Sequence, residues 1–135
     1  MASPSDELQT AIYAALVADA GVGALVGDAI YDGRPAVLPD KCITFGPSDY
    51  VPDDMDCITG RQETVQVDCW WASNRRLKPV KTLADAVKAA LHRAELPLGT
   101  HALAFIEVEA VRVFMDGDGA TGHGVVIVTA MVEER

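Results

Sequence analysis

Apolar and polar residues alternate along this chain in two rhythms, one helical and one extended. Leu8, Ala11, Ile12, Ala15 and Leu16 recur at helical spacing. Ser3-Pro4 with Asp6 and Glu7 just ahead supplies an N-cap, a first-turn proline and acids at the positive end of the dipole. The pattern predicts a helix over 4–18 and a short second one over 20–26, stopped at Gly27. Ala29–Tyr31 reads as a brief extended segment, and Asp32–Pro35 as a turn. Cys42–Phe45 reads as a strand. Arg61–Trp71 alternates strictly, with Val65, Val67, Cys69 and Trp71 on one face and Gln62, Thr64, Gln66 and Asp68 on the other. Residues 46–60, holding two prolines and several acids, read as one long hairpin loop.

A second long helix is expected over 79–94, with Val80, Leu83, Ala84, Val87, Ala90 and Leu91 on its core face. Ala102–Met115 is a long strand. Its apolar phase slips from Ile106 and Val108 to Val111 and Val113, which predicts a bulge or a change of buried face. Residues 116–122 form a glycine-rich reversal, and 123–132 a last strand that is apolar on both sides. Strands joined by hairpins, without repeated β-α-β units, imply one α+β domain over 1–135. The expected architecture is an antiparallel sheet of about four strands with two main helices packed on one face.

Charge sharpens the picture. The chain has 135 residues, 11 basic against 20 acidic side chains, and a net charge of −9. That balance opposes tight grip on nucleic acid or anionic membrane. It is also uneven: Arg75, Arg76, Lys78, Lys81, Lys88 and Arg93 are answered between 75 and 93 by Asp85 alone, while Asp49, Asp53, Asp54 and Asp56 crowd residues 46–60. One basic helix in an acidic protein is either a solvated face or half of a self-complementary dipole, able to join copies head to tail. The polar, acidic start is unlike a secretory leader, and a soluble protein made in the cytoplasm is expected.

Catalytic signals are thin. Cys42, Cys57 and Cys69 never occur as C-x-x-C and read as reduced thiols, not as a zinc site. Pairing one of them with His92, His101 or His123 is the formal route to a small cytoplasmic enzyme, but none lies at an evident helix N-terminus. Asp116–His123 resembles the start of a calcium loop. Ala120 and Ile127 stand where ligands are needed, so a hairpin turn is the better reading. No cofactor or metal is expected. Nucleic-acid binding through Arg75, Arg76 and Lys78, with Trp70 and Trp71, is a third possibility. Surplus apolar surface on the last strand, and Trp70 on the polar side of its own strand, point instead to an assembly protein.

The series Leu8-Gln9…Ala11-Ile12…Leu16…Asp19…Leu25-Val26-Gly27-Asp28…Ile30-Tyr31-Asp32…Pro35 resembles the tail-completion, or tail-terminator, family of tailed phages, prophages and gene transfer agents. Ile43–Gly46, Val67–Trp70, Ala90–His92 and Asp116–Gly124 continue the likeness, which spans about 7–133. Trp71 departs from it, because a single aromatic is usual there. The resemblance implies a virion protein at the head-proximal end of the tail. It would form a ring, generally a homohexamer, that caps the major tail tube protein and joins it to the head connector, leaving a channel for DNA. It carries over no catalytic residues. On that reading Asp49, Asp53, Asp54 and Asp56 face the channel or a neighbour. Trp70 and the basic residues of 75–93 face an adjacent subunit or partner ring. A head-closure or stopper ring is the alternative within the class.

Overall fold

A computed structural model describes residues 2–135. Helix α1 spans Pro4–Ala18, and the Ser3 side chain accepts from the Asp6 N–H at its start. Asp19 ends α1 and opens α2, Ala20–Val26, by accepting the Val22 N–H at 2.9 Å, so the chain bends 78° there. Gly27 closes α2 at a φ of 62°, a left-handed conformation that glycine adopts without penalty. The strands follow as β1 (Ile30–Tyr31), β2 (Lys41–Pro52) and β3 (Gly60–Ala72), then helix α3 (Lys78–Leu91), β4 (Ala102–Met115) and β5 (Thr121–Glu133).

The sheet has five strands in the order β1-β2-β3-β5-β4. It is mixed, because β1 pairs parallel to β2 through Ile30 with Ile43 and Tyr31 with Thr44. The expectation of a purely antiparallel sheet of about four strands is corrected on this point. Two residues between a helix cap and a turn are too few to show an alternating pattern, so their pairing is invisible in the sequence. A third helix, the short α2, joins the two main ones.

All three helices lie against one face. On β3 and β5 that face carries Val65, Val67 and Cys69 beside Val126, Val128 and Val132. Leu8, Ile12 and Leu16 of α1 and Val80, Leu83, Val87 and Leu91 of α3 close over it, each fully buried. Gly122 and Gly124 let α3 come close: a Cβ on Gly122 would stand 2.9 Å from a Val80 methyl. The anticipated phase slip in β4 is a register shift between Val108 and Ala110, with a second between Leu103 and Phe105.

Two boundaries differ from expectation. The segment 46–60 is not one long loop, since β2 runs on to Pro52 and pairs with β3 as far as Arg61. Proline argued for a loop. Yet Pro47 sits in a bulge between Phe45 and Ser48, and among the described residues nothing beyond the short β1 pairs with β2's outer edge, so neither missing N–H breaks the ladder. The helix expected to reach 94 stops at Leu91, capped by His92. His92 and Arg93 then turn along the outer edge of β4, where Arg93 N–H donates to the Ile106 carbonyl and Val108 N–H to His92 Nδ1. This plugs the middle of an otherwise open strand edge.

Candidate assembly surfaces

The strand direction separates the charged residues into two poles. At one pole β3 gives way to α3 through Ser73–Leu77, with Asn74 and Arg75 at positive φ. Arg75 N–H donates to the Ala120 carbonyl and the Ser73 hydroxyl to the Arg76 carbonyl, which holds this corner against the β4–β5 turn. Arg75, Arg76, Lys78 and Lys81 are all exposed, and among the described residues none forms an ion pair. Lys88 and Arg93 are exposed too but lie farther along, towards β4. The basic segment is therefore divided: four cations at the pole and two beside the sheet edge.

At the other pole the β2–β3 hairpin ends in the turn 53–59, closed by the Met55–Ile58 bridge. Asp54 Oδ1 accepts the Gly60 N–H at 3.0 Å. Asp53, Asp54 and Asp56 are exposed on this turn, and Asp49 is exposed on β2 opposite Thr64. Four large apolar side chains, Tyr50, Val51, Met55 and Ile58, are exposed beside them. The base of the hairpin is firm. Glu63, 1% exposed, accepts the Ser5 hydroxyl at 2.6 Å and lies 3.5 Å from the Arg61 guanidinium, which also reaches Glu134 at 3.1 Å and covers the Tyr50 ring at 3.7 Å.

The helix-free face of the sheet holds a cluster that the sequence reading did not foresee. Trp70 stacks on His123 with ring centroids 3.8 Å apart, and Phe114 tilts against the same imidazole from the far side. His123 Nε2 meets Asp68 Oδ1 at 2.7 Å, and Trp70 Nε1 donates to Thr44 Oγ1. The guanidinium of Arg34 covers the outer face of Trp70. Trp70 is thus only 6% exposed, and its own subunit accounts for most of its cover; it is not the free interface residue that its strand position suggested. Only the register that sets Trp70 opposite His123, and His123 opposite Phe114, brings the group together.

Among the described residues each histidine has a hydrogen-bonding partner, and two of the three cysteines are buried. His92 accepts a backbone N–H, His101 bridges the Ala2 carbonyl and the Arg135 N–H, and His123 belongs to the aromatic stack. Burial pushes the Cys42 thiol up to about 11 and the Cys69 thiol further, so neither ionises near neutrality. Cys57 is exposed on the acidic turn. No cluster of His, Cys, Asp and Glu suited to a metal exists among the described residues. In the β4–β5 turn Asp118 accepts from Ala120, Thr121 and the Thr121 hydroxyl, which is turn chemistry, and these bonds hold its carboxyl below the usual range.

The fold is a small α+β domain whose exposed acidic and basic patches lie at opposite ends of one hairpin. The sequence profile of the tail completion protein gp17 family matches residues 10–133, and the chain belongs to that family. None of the curated proteins compared matches it. Among solved structures the chain is similar to one from the virion of a native gene transfer agent particle. That likeness has 25% identity and a TM-score of 0.89, over 98% of this chain and 99% of the other.

Proposed function

We propose that this protein is a virion subunit that closes into a ring at the head-proximal end of the tail, caps the tube and joins it to the head connector. The observation that carries this reading is the near-complete, end-to-end likeness to a chain of a gene transfer agent virion, within the tail completion family. The work is geometric: the ring ends tube growth, offers a matching surface to the head side and leaves a passage for DNA. It is not an enzyme. An acidic net charge suits a conduit, because phosphates are repelled and the duplex slides. Some of Asp49, Asp53, Asp54 and Asp56 would face that passage or a neighbouring copy. The cations between Arg75 and Arg93 would face an adjacent subunit or partner ring.

Native mass spectrometry and negative-stain imaging of the purified protein, alone and with tail tubes, test the reading. The expected result is one closed oligomer, a hexamer, seated at tube ends. Failure to associate with tubes while binding head connectors would make it a head-closure ring. A monomer at high concentration that is missing from purified particles would end the proposal.

A further inference from the structure

The ring reading leaves open which surfaces of one copy meet which of the next. The poles of the hairpin carry opposite charge and matching apolar surface. The turn 53–59 offers Asp53, Asp54 and Asp56 with Met55 and Ile58, which are 58% and 36% exposed. The far pole offers Arg75, Arg76, Lys78 and Lys81, none of them in an ion pair among the described residues. Beside them stands Val37, 84% exposed in the loop whose Asp40 carbonyl takes the Ala72 N–H at the end of β3. The acids at that pole are Asp40, Asp116 and Asp118, and Asp118 already accepts three hydrogen bonds within its own turn.

Within one chain the two patches cannot meet. β3 alone holds them apart by 13 residues, about 40 Å at the usual rise of a strand. Unlike patches at opposite ends of a rigid element admit two arrangements: two copies lying antiparallel use both patches in one two-fold dimer, whereas copies set head to tail use one patch at each contact and add until the rotation closes. The ring reading selects the second.

Resting on the ring reading, we propose that the acidic turn 53–59 of one copy docks on the basic pole of the next, with Met55 and Ile58 covering Val37. The occupant of the pole is a second copy of this chain. Lys88 and Arg93, set back along α3 and the β4 edge, lie outside this contact.

Two charge reversals test it, both at exposed positions. One variant carries Asp53→Lys with Asp56→Lys, sparing Asp54 because it closes the turn. The other carries Arg76→Glu with Lys78→Glu. Each alone is expected to raise the concentration for half-assembly at least tenfold at low salt while keeping the wild-type melting temperature. Mixed in equal amounts, they are expected to assemble again as alternating rings, because each now supplies the patch its partner lacks. In wild type, Cys57 on the docked turn is expected to resist thiol labelling in the ring and to react after dissociation in salt. If both variants form wild-type rings alone, the ring reading stands and this contact is wrong. If each fails alone and the mixture fails too, the contact is also wrong. Wild type that never forms rings, alone or on tails, removes both. Loss of duplex DNA binding in the Arg76, Lys78 variant with assembly unchanged would assign the pole to nucleic acid and overturn the proposal.

Discussion

Single side chains decide how firmly the acidic turn is held. Glu63 is a buried carboxylate on a helix-covered face, and its charge is tolerable because Arg61 and Ser5 meet it. Arg61→Met leaves that charge without its cation. It should destabilise the fold by about 3 kcal/mol, the low end for breaking a buried pair because Arg61 keeps some solvent access; chemical denaturation measures this. Cysteine chemistry separates just as sharply. In native unassembled protein only Cys57 should react with a maleimide, since Cys42 and Cys69 are buried and their thiols are shifted upward; intact-mass measurement after brief labelling counts the adducts. None of these partnerships was legible in the sequence. Glu63 lies within the alternating stretch 61–71 but was assigned to neither of its faces, and Asp68 and His123, 55 residues apart, meet only through strand register.

Elements were far more legible than contacts. Both long helices, the alternating β3 and the slip in β4 followed from periodicity, which depends on neighbours a few residues away. The parallel β1, the extension of β2 to Pro52 and the early stop of α3 did not, because each depends on a partner strand distant in the chain. The seam between α1 and the start of β4 carries a pH dependence. Backbone N–H groups of His101 and Thr100 hold the Glu7 carboxyl below its usual range. A depressed carboxylate stabilises the fold above its unfolded value of 4.5, and that contribution is lost as pH falls through the lower folded value. Melting temperature should therefore drop on acidification below about pH 4.5. Glu7→Gln should flatten that part of the profile, and thermal melts across pH would show it.

Across the whole molecule, charge is the organising quantity. The net −9 opposed a tight nucleic-acid grip from the outset, and the uneven distribution was already visible along the chain. Its division into poles was not, because the sequence cannot say that residues 53–59 and 73–81 lie at opposite ends of one hairpin. An assembly joined by exposed charges should weaken as salt is raised, since screening shortens their reach to about 8 Å near physiological strength. Sedimentation velocity should show the oligomer shrinking between low salt and about 1 M, where the screening length is ~3 Å. An oligomer indifferent to salt would rest on apolar contacts instead. The length of that hairpin then has a further meaning. If copies join end to end along it, strand length is a ruler for the bore. Adding two residues to β2 and two to β3, in register, would lengthen every link by about 6.6 Å without touching either pole. Calibre and adhesion would then be set by separate stretches of the polypeptide, and a lineage could retune the width of its portal without reinventing how its copies recognise one another.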